Sequence, residues 1–197
     1  MLRRAAAIGA LLPALALASP GPPPAAGAAA PAGEAAPAPP AGCIATGDGY
    51  LRAHLAGAID ADIDWPNSGT RCEGESKATP AGVRMSFSRV AGGTPDLLFV
   101  FGLTGVNEGR ALSAGAANVT IIEQGSGRIF GTLGDTRCTV DSLRQRRMAE
   151  EHTYRIEARG FCTQPARAIR GPGEVLLTRF DFAGQVTYFA ADAAPDP

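Results

Sequence analysis

The chain has 197 residues, with 18 basic and 19 acidic side chains and a formal charge of −1. That balance lacks the basic field a general nucleic-acid partner requires. Lys77 is the single lysine, so the arginine content, beside so much Ala, Gly and Pro, reads as the bias of a GC-rich bacterial genome before it reads as a phosphate-binding signal.

The first four residues, Met1-Leu2-Arg3-Arg4, are basic, and an apolar run from Ala5 to Ala18 follows, broken only by Pro13. This predicts a secretory signal peptide over residues 1–18, because the run is too short to span a bilayer and no stop-transfer pattern follows. Residues 19–42 are almost entirely Pro, Ala and Gly, with Glu34 the one charge. A segment with nothing large to bury cannot offset its chain entropy, so it is expected to be a disordered, extended spacer. Residues 43–190 are of single-domain size, and 191–197 read as a disordered tail. No segment of the mature chain is expected to cross a membrane, which places the domain in the periplasm or outside a bacterial cell.

Export would leave Cys43, Cys72, Cys138 and Cys162 in an oxidising compartment, where an even count suggests two disulfides. Four cysteines allow three connectivities. The favoured one is Cys43–Cys72 with Cys138–Cys162, the second pair bracketing the segment expected to carry a helix. No spacing resembles a zinc site. Ala41-Gly42-Cys43 echoes a lipoprotein processing site, but the apolar run ends far upstream and argues against lipidation there.

In the folded region the first element is Leu51–Trp65. Leu51, Ala53, Leu55, Ile59, Ile63 and Trp65 alternate with Arg52, His54, Asp60, Asp62 and Asp64, a period of two with one apolar and one polar face. This predicts a strand, and one so long must bend, with Gly57 the natural place; the rival is a short helix capped by Asp48 and ending near Gly57, since Leu51, Leu55, Ile59 and Ile63 are also spaced by four. Val83, Met85 and Phe87 alternate with polar neighbours in a half-buried strand. Leu97–Leu103 is a continuous apolar run, expected to be a central strand covered on both faces. The Gly105–Ala117 stretch is long for a connection and suits a rim or lid. Asn118–Glu123 and Arg128–Leu133 flank Gly125-Ser126-Gly127 and form a hairpin.

Asp141–Glu151 changes character. Asp141 or Ser142 can cap, good helix formers follow, and one short surface helix is predicted. Tyr154, Ile156, Ala158, Gly160 and Cys162 then alternate with Arg155, Glu157, Arg159 and Phe161. Val175–Phe189 forms one bent strand or a pair around Ala183-Gly184. About eight strands, Gly/Pro turns and no βαβ alternation predict a mainly β domain: an antiparallel β-sandwich, or an open barrel, with one short surface helix.

Asp60, Asp62 and Asp64 share one strand face in this reading. Three carboxylates there could hold Ca²⁺, or, with Glu73, serve a glycan-directed hydrolase. They could equally be the charges that keep an edge strand from pairing. His54 shares their parity and suggests a general base, but no G-x-S-x-G elbow accompanies it. Arg144, Arg146 and Arg147 form a basic cluster able to meet an acidic glycan, phospholipid head groups or a partner, although Glu150 and Glu151 follow at helical spacing. Trp65, Tyr154 and Tyr188 fall on apolar parities and are expected in the core.

Cys72-Glu73-Gly74, Asn118–Glu123, Cys138-Thr139-Val140, Gly160-Phe161-Cys162 and Arg179–Gly184 together resemble exported proteobacterial proteins of unassigned function. The resemblance implies an exported domain over most of residues 50–188 and brings no activity with it. The reading that follows is an envelope-associated β-domain with a binding or structural role toward an envelope glycan or protein. A carboxylate-based hydrolase and a Ca²⁺-stabilised domain are the alternatives.

Overall fold

The computed structural model describes residues 42–78, 81–90, 95–134 and 136–189. The expected signal peptide, nearly all of the spacer and the tail lie outside the described residues. Eleven strands follow in chain order: β1 (Tyr50–Gly57), β2 (Ala61–Pro66), β3 (Thr70–Lys77), β4 (Gly82–Arg89), β5 (Leu97–Thr104), β6 (Gly115–Glu123), β7 (Arg128–Gly131), β8 (Cys138–Arg147), β9 (Thr153–Cys162), β10 (Ala166–Arg170) and β11 (Glu174–Thr187). The architecture is a mainly β, antiparallel sandwich. Among the described residues no helix is long and apolar enough to cross a membrane.

One layer runs β2-β1-β11-β9-β8 and the other β3-β4-β5-β6-β7-β10. They join at corners, where β6 pairs with β8 over Gly115–Ala117, β10 pairs with β11, and Thr187 meets Glu75 in a parallel bridge. The 14-residue β11 is the spine, pairing with β1 along its first part and with β9 along its second. Of the two possibilities, one bent strand or a pair, the structure has the first in being a single strand, unbroken at Ala183-Gly184. A Cβ on Gly184 would meet the flexible end of the Met85 side chain, so Gly184 lets Met85 lie close against β11.

Between the layers, Phe101 of β5 packs on Phe180 and Phe182 of β11 with centroids 5.1 and 5.0 Å apart. Phe87 of β4 packs on Phe182 at 5.1 Å, and Trp65 of β2 meets Phe99 edge-on at 5.5 Å. Trp65 and Tyr188 are buried and Tyr154 half-buried, in line with their apolar parity. β5 lies between β4 and β6 as a central strand, but its second face (Leu98, Val100, Gly102) is only half-covered.

Both disulfides pair as favoured, Cys43–Cys72 and Cys138–Cys162. The second pair brackets no helix. It clamps a hairpin in which Cys138 and Cys162 stand directly opposite in the β8–β9 register.

Two expectations are corrected. The predicted helix over 141–151 is strand β8, which bends and turns through residues 149–152 into β9. The helix expectation rested on the cap residues Asp141 and Ser142 and on the helix formers after them, all local signals. A bulge at Asp141 sets the inward residues at Cys138, Val140 and Leu143, so the alternation that would have marked a strand is broken there. Pairing with β9, and a bridge from Leu143 to Leu112, then override local helix propensity. Leu51–Trp65 is likewise not one strand but the hairpin β1–β2. The break falls at Gly57, whose φ is +116° and where a Cβ would sit 2.6 Å from the Glu174 carbonyl oxygen. Glycine relieves both demands.

Candidate functional site

The outer face of β2-β1-β11-β9-β8 collects most of the polar residues singled out in the sequence. Side chains opposite each other across antiparallel strands share a face. Thus Asp64 faces Arg52, Arg52 faces Asp181, and Asp181 faces Arg159. A neighbouring row runs Asp62, His54 and Arg179. Another carries Tyr50, Ala183, Glu157 and Arg144.

Two bulges aim this face. In β11, His54 pairs with Arg179 but Leu55 with Leu177, leaving Thr178 as the extra residue. Without it, strict alternation after Val175 and Leu177 would turn Arg179 inward. In β8 the bulge at Asp141 does the same for Arg144 and Arg146, which would otherwise continue the inward series of Cys138 and Val140. Bulges commonly re-aim side chains in this way.

The charges are held in pairs. Arg52 Nε lies 3.2 Å from Asp64 Oδ1, and His54 Nδ1 lies 2.9 Å from Asp62 Oδ1, which also faces Arg179 Nη2 at 3.4 Å. Arg159 Nε is 3.3 Å from Asp181 Oδ2, and the Tyr50 hydroxyl donates to Asp181 Oδ1 at 2.7 Å. Burial, then this bond to Asp181, pushes the Tyr50 phenol up to about 12. The Arg52 guanidinium lies 4.9 Å from the centre of the Tyr50 ring. Between these groups is a depression of about 460 Å³ lined by Arg52, Asp62, Asp64, Arg179 and Asp181. A smaller one of about 110 Å³ lies between Ser142, Arg144, Glu157 and Arg159.

One end of the face is closed by the loop that leads from Cys43 to β1. Arg155 is buried there and binds Asp48 and Glu157. Its Nη2 donates to the Asp48 carbonyl at 2.9 Å. Its Nε is 2.7 Å from Asp48 Oδ2 but is not aimed at it, so that contact is an ion pair without a formed hydrogen bond. The Thr46 hydroxyl, and then Arg155 and Arg146, hold the Asp48 carboxyl below its ordinary value of 3.8 despite opposing desolvation. The folded state keeps Asp48 ionised to lower pH than the unfolded chain does. Its contribution is therefore complete above the ordinary carboxylate range and is lost as pH falls through the lower folded value. Asp48→Asn is expected to flatten the acid side of the stability profile below about pH 4. Urea midpoints measured from pH 6 to pH 2 check this, and parallel profiles for the two proteins would contradict it.

Not every predicted residue joins this face. Asp60 is exposed in the turn between β1 and β2, so three carboxylates on one strand face do not form. Among the described residues no three His, Cys, Asp or Glu side chains converge as a metal site would need. Glu73 and Glu75 stand on the other layer, beside Arg84 and Ser86. They do not face Asp62 or Asp64. Arg147 pairs in register with Tyr154 on the opposite parity from Arg144 and Arg146. Arg146 binds Asp48 at 3.3 Å in place of the helical partner expected for it. The Gly105–Ala117 stretch is pinned rather than free: Gln145 Nε2 donates to the carbonyls of Asn107 and Arg110, each at 2.8 Å, and His152 Nδ1 meets Glu108 at 2.9 Å.

Arg52, Arg155, Arg159 and Phe161 were not singled out in the sequence. Their alternation with buried neighbours was the available signal.

Among the described residues β2 pairs with β1 alone and ends its layer. Asp62 and Asp64 point outward from it, as edge protection requires. Replacing both with valine removes exposed ion pairs that are individually worth under about 1 kcal/mol, so stability should barely change. Self-association should rise, read as larger species by light scattering at matched concentration. An unchanged size distribution would show that the aspartates do not guard the edge.

No protein-family model, no curated protein and no solved structure matches this chain. The functional reading therefore rests on this geometry.

Proposed function

We propose that this chain is an exported, envelope-associated β-domain that acts by binding, through the outer face of β2-β1-β11-β9-β8, and performs no chemistry of its own. The observation that carries the reading is the pairing of charges. Asp62, Asp64 and Asp181 each meet an arginine, on one exposed sheet face. Carboxylate-based glycoside hydrolysis needs two carboxylates set on either side of a bond, whereas an exposed, rigid array of paired donors and acceptors suits recognition. Strand-borne side chains give such an array more precision than loops do. Export is supported by the two disulfides, which persist in oxidising compartments.

Co-sedimentation of the purified chain with isolated bacterial cell envelopes tests this. The chain should pellet with the envelopes, and the triple variant R52A/R159A/R179A, with an unchanged circular dichroism spectrum, should stay in the supernatant. Equal pelleting of both proteins, or of neither, would reject the reading.

A further inference from the structure

The same face carries information about the class of ligand, and this inference rests on the binding reading above. We propose that the depression bounded by Arg52, Asp62, Asp64, Arg179 and Asp181 is a subsite for an uncharged, polyhydroxylated sugar unit of a glycan.

Its volume of about 460 Å³ lies within the range of small-ligand pockets. Its charges interleave. Three carboxylates (Asp62, Asp64 and Asp181) and two guanidinium groups (Arg52 and Arg179) border it, with Arg159 bound to Asp181 beside it. A ligand of one charge sign would meet attraction and repulsion within one footprint. A sugar hydroxyl both donates and accepts, so neighbouring hydroxyls can use a carboxylate and a guanidinium together while the protein's own pairs persist.

The spare capacity is present. The side chains of Arg52, Arg159 and Arg179 are 61%, 69% and 74% exposed, and each holds its carboxylate through a single nitrogen. A guanidinium has five N–H donors, so most remain free for a ligand. The remaining need of a sugar site is an apolar surface for ring C–H groups. Phe161 does not line the depression itself but offers one beside it. It is left 38% exposed on the same side of β9 as Arg159, in a core that buries Phe87, Phe99, Phe101, Phe130, Phe180 and Phe182. Tyr50, half-buried and stacked by Arg52, gives a second aromatic surface on β1.

The test is a ¹⁵N–¹H chemical-shift titration of the intact, oxidised chain with cellotetraose and chitotetraose, and with trigalacturonate as the charged counterpart. A neutral oligosaccharide should shift amides of β1, β2, β9 and β11 around Asp62 and Asp181. Arg179→Ala and Phe161→Ala should each weaken that binding on the order of tenfold, since hydrogen bonds to charged groups and aromatic contacts have that reach. Arg179 is 74% exposed, so the midpoint of its variant should stay in place; Phe161 is mostly buried, so its variant is titrated only where its dispersed amide spectrum shows it folded. Three results would overturn the inference: no shifts from either neutral oligosaccharide, equal or larger shifts from trigalacturonate, or shifts confined to the other layer. If these occur while the chain still pellets with envelopes, the inference falls and the binding reading stands. If pelleting is absent as well, both fall.

Discussion

Reducing both disulfides is expected to lower the stability of the domain by about 3–4 kcal/mol per bridge. Cys43–Cys72 closes 29 residues and Cys138–Cys162 closes 24. In the chain-entropy account, loops of this length restrict the unfolded ensemble to similar extents. Together the two effects are comparable with the whole stability of a typical domain, about 5–15 kcal/mol, so the reduced chain should be largely unfolded at moderate urea. The two bridges should differ in their local consequences. Losing Cys43–Cys72 frees the loop that carries Asp48 and so exposes Arg155, whereas losing Cys138–Cys162 opens the hairpin that presents Arg144 and Arg159. Urea unfolding of the oxidised chain, the reduced chain and the two paired Cys→Ser variants measures this. Identical midpoints with and without reductant would mean that the thiols are not paired.

Phe101→Ala is the second large effect, with an expected loss of about 3–5 kcal/mol. The ring is fully buried, and four other phenylalanines surround it: Phe87 and Phe99 at 6.1 Å, Phe180 at 5.1 Å and Phe182 at 5.0 Å. These rings come from β4, β5 and β11, so truncation opens a cavity between the layers instead of at a rim. The rings around it are held by their own strands and can collapse only partly. Phe189→Ala is the control, because that side chain is 73% exposed and its loss should change stability by less than about 0.5 kcal/mol. Chemical denaturation of both variants decides the matter. A cost at Phe101 below about 1 kcal/mol would contradict the shared core described above.

Much of the fold was legible because a strand leaves its mark locally. The alternation of Ile156, Ala158, Gly160 and Cys162 with Glu157, Arg159 and Phe161 already separated an inner from an outer face, and the structure keeps that division. The hairpin around Gly125-Ser126-Gly127 and the buried parity of Trp65 came through in the same way. What failed was alternation interrupted by a single residue. The bulge at Asp141 hid the strand alternation of β8 and left cap residues and helix formers as the visible signal, and the hairpin at Gly57 left the period intact while reversing the chain, because both of its strands keep odd-numbered residues inward. The site was less legible than the fold. Asp62, Asp64, His54, Arg144 and Arg146 were named from the sequence, yet nothing local says that His54 lies beside Arg179 or Arg52 beside Asp181. Those contacts depend on β1 pairing with a strand at the far end of the chain. The burial of Arg155 was equally hidden, because the loop that covers it is recruited by Cys43 and Asp48.

The central claim is that one face of one layer does the binding. Its most direct test compares two surface variants in the envelope co-sedimentation assay, R52A/R159A/R179A on the outer face of β1-β11-β9 and R71A/R84A on the outer face of β3-β4. Both remove exposed arginines, and neither touches the core. The account predicts that the first variant loses envelope binding and the second pellets like the unaltered chain. Loss of binding in the second variant with retention in the first would contradict it.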